Sequence, residues 1–246
     1  MKHLFKIALV SAILLFPVVS NAQVLITLLF GDALNTEKIE FGLVGGMNRS
    51  YILDIEDSKG LNNFNLGFYF HINMKKNSYL STGVLVKSDM GAKGMEPYSI
   101  GDPDFDSVFQ NSTLKKKINC FYVPILFHQR FNNRWYIEAG PQLGLIFKPF
   151  DQFDVSEYGG DLTYKRDVRD EYKKIDVGLY GAVGYKFKQQ TKSISTGIGY
   201  YYGLVNVSER PDLEIRNSSI YFFVKIPIEP KGKEKKKKEK KAKADT

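Results

Sequence analysis

The sequence predicts an all-β chain, an eight-stranded antiparallel up-and-down transmembrane β-barrel with short periplasmic turns and long outer loops. Three observations lead there. Apolar residues recur at every second position over long segments, the period of a β-strand. The links between those segments alternate short and long along the chain. After the N-terminal segment, no apolar run approaches the ~18 residues that a membrane helix needs, so a membrane-spanning chain must cross with strands.

Taken in order, residues 1–22 read as a signal peptide, with Lys2 and Lys6 before an apolar run from Ile7 to Val19. Small residues at Ser20 and Ala22 suit cleavage before Gln23, and no cysteine near that point invites lipoprotein processing. Residues 23–37 form a lead-in. Its apolar run Val24–Phe30 packs under the barrel, lies at the inner interface, or simply leads into the first strand. Residues 38–228 are the outer-membrane β-barrel and 229–246 a lysine-rich disordered periplasmic tail, too poor in apolar residues to bury a core.

The clearest strands are the hairpin Lys117–Phe147, turning at Asn132, Asn133 and Arg134. Its first arm puts Phe121, Val123, Ile125, Phe127 and Phe131 on one face and Cys120, Tyr122, Pro124, His128 and Arg130 on the other. Its second arm alternates Trp135, Ile137, Ala139, Leu143, Leu145 and Phe147 with Tyr136, Glu138, Gly140, Gln142 and Gly144. Such arms match the ~9–11 residues of a tilted membrane strand. The other strands are expected over Lys38–Tyr51, Asn63–Asn73, Tyr79–Ser88, Lys174–Lys188, Ser193–Val207 and Asn217–Ile228. The first of these turns Ile39, Phe41, Leu43 and Met47 outward. Short links fall near Lys75–Asn77, Asn132–Arg134 and Gln189–Lys192; long ones are Ile52–Asn62, Asp89–Lys116, Lys148–Lys173 and Ser208–Arg216. Tyr51, Tyr79, Trp135, Tyr136 and Tyr201 are placed for an aromatic girdle.

Composition agrees with a barrel. With 15 Tyr and 18 Phe the mean hydropathy is still only −0.26, because inward polar residues offset an apolar exterior. The formal charge of +8 resides in the tail, which carries +6, and in the two signal-peptide lysines. The body is near neutral, so basicity gives no reason to expect a nucleic-acid partner. The single Cys120 excludes an internal disulfide framework and a cysteine-rich metal site.

The stretches LLFGDALNTEKIEFGLVGGMNRS, FYVPILFHQRF, WYIEAGPQLGLIF, IDVGLYGAVGYKF and SISTGIGYYYGLVNV resemble successive strands of the PorT-like outer-membrane β-barrel proteins of gram-negative bacteria. Pro124 and the run Glu138–Pro141 are the most specific elements. The resemblance implies an eight-stranded outer-membrane barrel, and the founding member's association with a protein-secretion apparatus. The chain departs from the pattern by running past its last strand into the lysine tail.

Inward positions expected from the alternation include Glu40, His71, Tyr122, His128, Arg130, Tyr136, Glu138, Gln142, Asp176, Lys186, Tyr221 and Lys225. A lumen polar network of Glu138, Arg130, His128, Lys186, Lys225 and Tyr136 is the candidate site, with an ion pair of Glu138 and Arg130 across the hairpin. Buried charges persist where they are paired. It reads either as a structural plug or as a binding or proton-sensitive site. No catalytic residue, cofactor motif or metal site is assigned, since His71 and His128 lack a third ligand at suitable spacing. The run Asp102–Ser107 starts like a calcium loop but lacks the Gly and Glu, and reads as a solvated acidic loop.

The expected role is structural or interaction-based in the cell envelope, with no open pore, as an accessory of an envelope or secretion assembly. Expected partners are outer-membrane lipid, envelope proteins through loops 89–116 and 148–173, and an anionic periplasmic polymer or lipid through the tail. The alternatives are a secreted lipocalin-like barrel, which would turn Phe64, Phe68, Phe121, Ile125 and Ile137 inward around an apolar ligand, and a lipid-modifying barrel enzyme using His71 or His128.

Overall fold

The computed structural model describes residues 38–55, 58–157, 160–189 and 192–228. The segments expected to be a signal peptide (1–22), a lead-in (23–37) and a lysine-rich tail (229–246) lie outside the described residues. The described strands are β1 (Ile39–Ile52), β2 (Lys59–Lys75), β3 (Ser78–Ser88), β4 (Met90–Met95), β5 (Thr113–Arg130), β6 (Trp135–Glu157), β7 (Gly160–Asp167), β8 (Ile175–Lys186), β9 (Ser195–Gly203) and β10 (Asn217–Pro227), with one helix, α1 (Pro103–Phe109).

Two compact units divide at Gly42 and Ile226. In the smaller, Phe41 is buried and its carbonyl accepts the Ile228 amide. Phe41, expected outward, is therefore not an exposed position. In the larger, 42–226, the neighbours run β1–β2–β3–β5–β6–β8–β9–β10 and return to β1, a closed ring of eight. Short β2–β3, β5–β6 and β8–β9 links gather at one end of the strands. At the other end β3 gives way to β4, which bridges β2 at Lys59–Gly60 and β5 at Leu114–Ile118. There β6 outruns β8, pairing it at 135–145, and continues against β7 from Phe150 to Glu157.

The faces follow the alternation. Phe121, Val123, Ile125 and Phe127 on β5 are exposed, as are Ile137, Leu143 and Leu145 on β6, Leu179 and Val183 on β8, Ile198 on β9 and Phe222 on β10. Between them Tyr122, His128, Glu138, Gln142, Asp176 and Tyr221 are buried within the ring. The expected girdle is only partly realised. Tyr79, Tyr136 and Tyr201 point inward and are buried, while Trp135 stays exposed and packs edge-on to Tyr185 at 5.2 Å.

The long links contain more structure than loops. The segment Asp89–Lys116 holds β4, α1 and the start of β5, and Lys148–Lys173 holds the end of β6, all of β7 and a 3-10 turn at Arg169–Glu171. Their outward residues, such as Lys115, Lys117, Gln152 and Asp154, are polar, so no apolar stripe betrays the strands. Their inward residues Leu114, Ile118, Phe153 and Val155 still build a core. The supposed acidic loop begins α1: the Asp102 carboxylate accepts from the amides of Asp104 and Phe105 at 3.0 and 3.4 Å, and Pro103 opens the first turn. Asp106 accepts from the Ser99 hydroxyl and the Ile100 amide, both at 2.6 Å. These bonds hold its carboxyl below the usual range.

Inside the ring, glycines make room for tyrosine rings. Tyr136 lies over Gly184, Tyr180 over Gly199 and Tyr122 over Gly144, each where an added Cβ would overlap the ring. By contrast, a Cβ on Gly181 would meet nothing nearer than the Glu138 carbonyl at 4.0 Å. Gly184→Ala is expected to destabilise by about 1–3 kcal/mol through overpacking, and Gly181→Ala to be near neutral, in urea unfolding of protein refolded into lipid vesicles.

Candidate functional site

The site is a column of buried polar groups, and the β5–β6 hairpin sets its register. The turn is closed by the Phe131 amide on the Trp135 carbonyl at 2.9 Å, with Arg134 at φ 73. Strand pairing then places His128 opposite Glu138 and Arg130 opposite Tyr136. The β2–β3 hairpin brings His71 opposite Ser81, and β3 pairs Tyr79 with His128.

One oxygen of Glu138 gathers most of these groups. Its Oε1 accepts from Lys225 Nζ at 2.5 Å, from His128 Nδ1 at 2.8 Å and from the Ser81 hydroxyl at 3.1 Å, and lies 3.4 Å from His71 Nε2. The Arg130 guanidinium meets the far side of both imidazoles, donating to His128 Nε2 and His71 Nδ1 at 3.1 Å each, and covers the Tyr79 ring at 4.0 Å. Arg130 thus reaches Glu138 through the histidines, whereas Lys225 contacts it directly. Tyr136 stacks on His128 at 4.7 Å and its hydroxyl lies 3.3 Å from that of Ser195. Lys186 is buried nearer the short-link end, where it lines a hollow of ≈ 360 Å³ with Tyr79, Arg130, Arg134 and Lys188.

Two further layers follow toward the long-link end. Asp176 accepts from Tyr122 at 2.6 Å, Tyr201 at 2.9 Å and Asn217 at 2.8 Å. Beyond it, Asp151 accepts from Lys116 and Tyr98, both at 2.7 Å. Burial and the neighbouring Asp151 carboxylate push the Tyr98 phenol well up. Neither layer follows from the sequence: alternation puts Asp176 inward without naming partners, and Lys116, Asp151 and Tyr98 lie in links that read as loops. The one signal there is that Leu114 and Ile118 continue the inward parity of Cys120 and Tyr122.

His71, His128 and Glu138 offer ligand atoms within 4.8 Å of one another, the geometry of a metal triad. The lone pairs are already engaged by cations, the ammonium of Lys225 on Glu138 and the guanidinium of Arg130 on both histidines. A divalent ion there would have to displace both positive groups, so the donor set fits an ion-paired plug better than a metal centre.

A closed ring with apolar exterior and charged interior accords with what the family comparison finds: the model described as outer membrane protein beta-barrel domain matches residues 22–209. The chain belongs to that family. Among curated proteins, none matches in sequence. Among solved structures, the chain is similar to Ail, the attachment invasion locus protein of Yersinia pestis, solved with the heparin analogue sucrose octasulfate, at 11% identity and TM-score 0.40, over 76% of this chain and 97% of that one. It is similar also to Neisserial surface protein A, at 10% identity and TM-score 0.40, over 76% of this chain and 96% of that one. OprG from Pseudomonas aeruginosa gives 10% identity and TM-score 0.35, over 76% and 93%.

In this barrel protein, Lys225→Met should leave Glu138 short of its direct cation and cost about 3–5 kcal/mol, whereas adding Glu138→Leu should restore most of the loss. Urea midpoints of the two variants in lipid vesicles measure this.

Proposed function

We propose that this chain is an eight-stranded outer-membrane barrel whose short links face the periplasm and whose long, structured links face outward, serving as a closed scaffold for interaction in the cell envelope. The carrying observation is the division of faces. Phe64, Phe121, Ile125 and Ile137 are 36–50% exposed on the ring's outside, while the inside is filled by tyrosines and paired charges. A soluble carrier of apolar ligands would put those four residues inside.

The interior supports a plug rather than a conduit. The cavity around Glu138, Gln142, Tyr180, Tyr221 and Lys225 holds ≈ 50 Å³, room for a water or two. Catalysis has little support: His71 and His128 are committed to Glu138 and Arg130, and neither lies at the long-link rim. The extension built from β4, α1, β6 and β7 is the part best suited to an envelope partner, being ordered and carrying exposed Phe105 and Leu162. A PorT-like role as accessory of a secretion assembly is the specific form of this reading, resting on the strand resemblances around Pro124 and Glu138–Pro141.

Envelope fractionation followed by gels of boiled and unboiled samples tests the proposal. A detergent-requiring species whose migration shifts on boiling is expected; release into buffer with no shift would overturn it. Ile125→Lys, in the middle of the apolar band, should destabilise the vesicle-embedded protein by about 2–4 kcal/mol. In a soluble barrel the same exposed change would be near neutral.

A further inference from the structure

The outward face of the extension carries a row of lysines that the plug does not use. Across neighbouring strands, Lys59 on β2 pairs with Lys93 on β4, Lys93 with Lys115 on β5, Lys115 with Gln152 on β6, and Gln152 with Lys165 on β7. Directly opposed residues of antiparallel strands share a face, and like charges so opposed repel. One step toward the apolar band, Lys117 lies opposite Phe150, and the ammonium groups of Lys117 and Lys165 sit 5.9 and 5.6 Å from that ring. Lys148, opposite Asn119, is exposed lower still. The inward alternates Ala92, Lys116 and Asp151 are buried, which confirms the orientation of the row.

Three acidic groups share this face: Asp154 is held by Lys115 at 2.7 Å, Asp161 accepts from Ser156 at 2.6 Å, and Glu96 is exposed. Among the described residues Lys59 and Lys93 form no ion pair; with Lys115 they line a groove of ≈ 960 Å³ together with Glu96, Asp154 and Asp161, and Lys117 and Lys165 beside it leave the face with more bases than acids. Sheet sterics do not require lysine at three adjacent opposed positions. An external anion lying across them offsets the repulsion.

Height selects the anion. From Phe121 to Phe131 the outward side of β5 spans roughly 33 Å along the strand, or about 25 Å of membrane depth at barrel tilt. Lys117 and Lys115 then stand about 10–15 Å above the upper apolar edge, within reach of a headgroup layer for long flexible side chains. We propose that Lys59, Lys93, Lys115, Lys117 and Lys165 seat the phosphate groups of phosphorylated glycolipid in the outer leaflet. This rests on the orientation given under Proposed function.

The test uses the full-length protein in detergent and native mass spectrometry, with bisphosphorylated lipid A and its enzymatically dephosphorylated form as probes. The wild type should retain the phosphorylated lipid about tenfold better or more. Lys59→Gln combined with Lys93→Gln and Lys117→Gln should reduce retention of the phosphorylated lipid several-fold, and Lys→Arg at the same three positions should preserve it. The lysine tail is common to all these proteins, so its attraction cancels between wild type and variant, and that comparison on the phosphorylated lipid decides. Equal retention by wild type and the Gln variant, no distinction between probes, or displacement by excess inorganic phosphate would each overturn the proposal. A normal heat shift alongside such a result would locate the failure in the lysine row; absence of a heat shift in the wild type would locate it in the membrane reading.

Discussion

A strand surrounded by hydrocarbon has no water to satisfy its amides and carbonyls, so its hydrogen-bond ladder must be completed by neighbouring strands on both sides. Ring closure through β1 and β10 meets that demand, and the details of this chain show its force. Pro124 has no amide to give, and the β3–β5 pairing steps from Thr82 opposite Ile125 to Leu85 opposite Tyr122, leaving the proline outside that ladder while its other edge pairs with Gln142 of β6. Where β3 stops, β4 takes its place between β2 and β5. At the long-link end, Arg216 holds Asp54 through its guanidinium and its own amide, and the Leu53 amide bonds the Arg216 carbonyl, tying the end of β1 to the start of β10.

Closure also creates the interior problem that the polar column solves. A ring of eight strands encloses a width that side chains can fill. Tyrosine rings take the volume, and glycines on facing strands admit them. The remaining polar groups sort into layers around Glu138, Asp176 and Asp151, each carboxylate with two or more donors. Charges taken out of water are tolerable in such arrangements because each carboxylate has a cationic or hydrogen-bonding partner on at least one oxygen. The same pairing is what makes the interior poor at binding anything else.

Outside the ring the extension turns the argument around. Its inner face continues the core with Leu114, Ile118, Phe109, Phe153 and Tyr164, Phe109 and Phe153 lying edge-on at 6.4 Å. Its outer face is free of that duty and is lysine-rich rather than apolar. A single β5 strand therefore passes from an apolar exterior at Phe121–Phe127 to a basic one at Lys115 and Lys117 with its own alternation of faces unbroken, although its register against β6 shifts between Asn119 and Cys120; this is the transition expected where a wall leaves hydrocarbon for headgroups.

Period two alone was enough to read the faces of the eight ring strands, because burial in a pleated wall depends only on parity along the strand. Phe121 through Phe127 and their inward alternates needed no tertiary information, and the short links placed the strand ends that they join. Parity cannot say which inward residues meet. Glu138 and Lys225 are 87 residues apart, and their contact exists only once the ring has closed and β10 faces β6 across the interior. Parity of apolar residues also fails where the outward face is polar, so β4, β7 and the end of β6 lay hidden in segments that read as loops. Tyr79 and Tyr201, expected in the girdle, are instead buried inside. A tyrosine near a strand end suits a membrane interface or a filled lumen equally well by chemistry, and only the direction of its side chain, set by the neighbouring strands, decided between them.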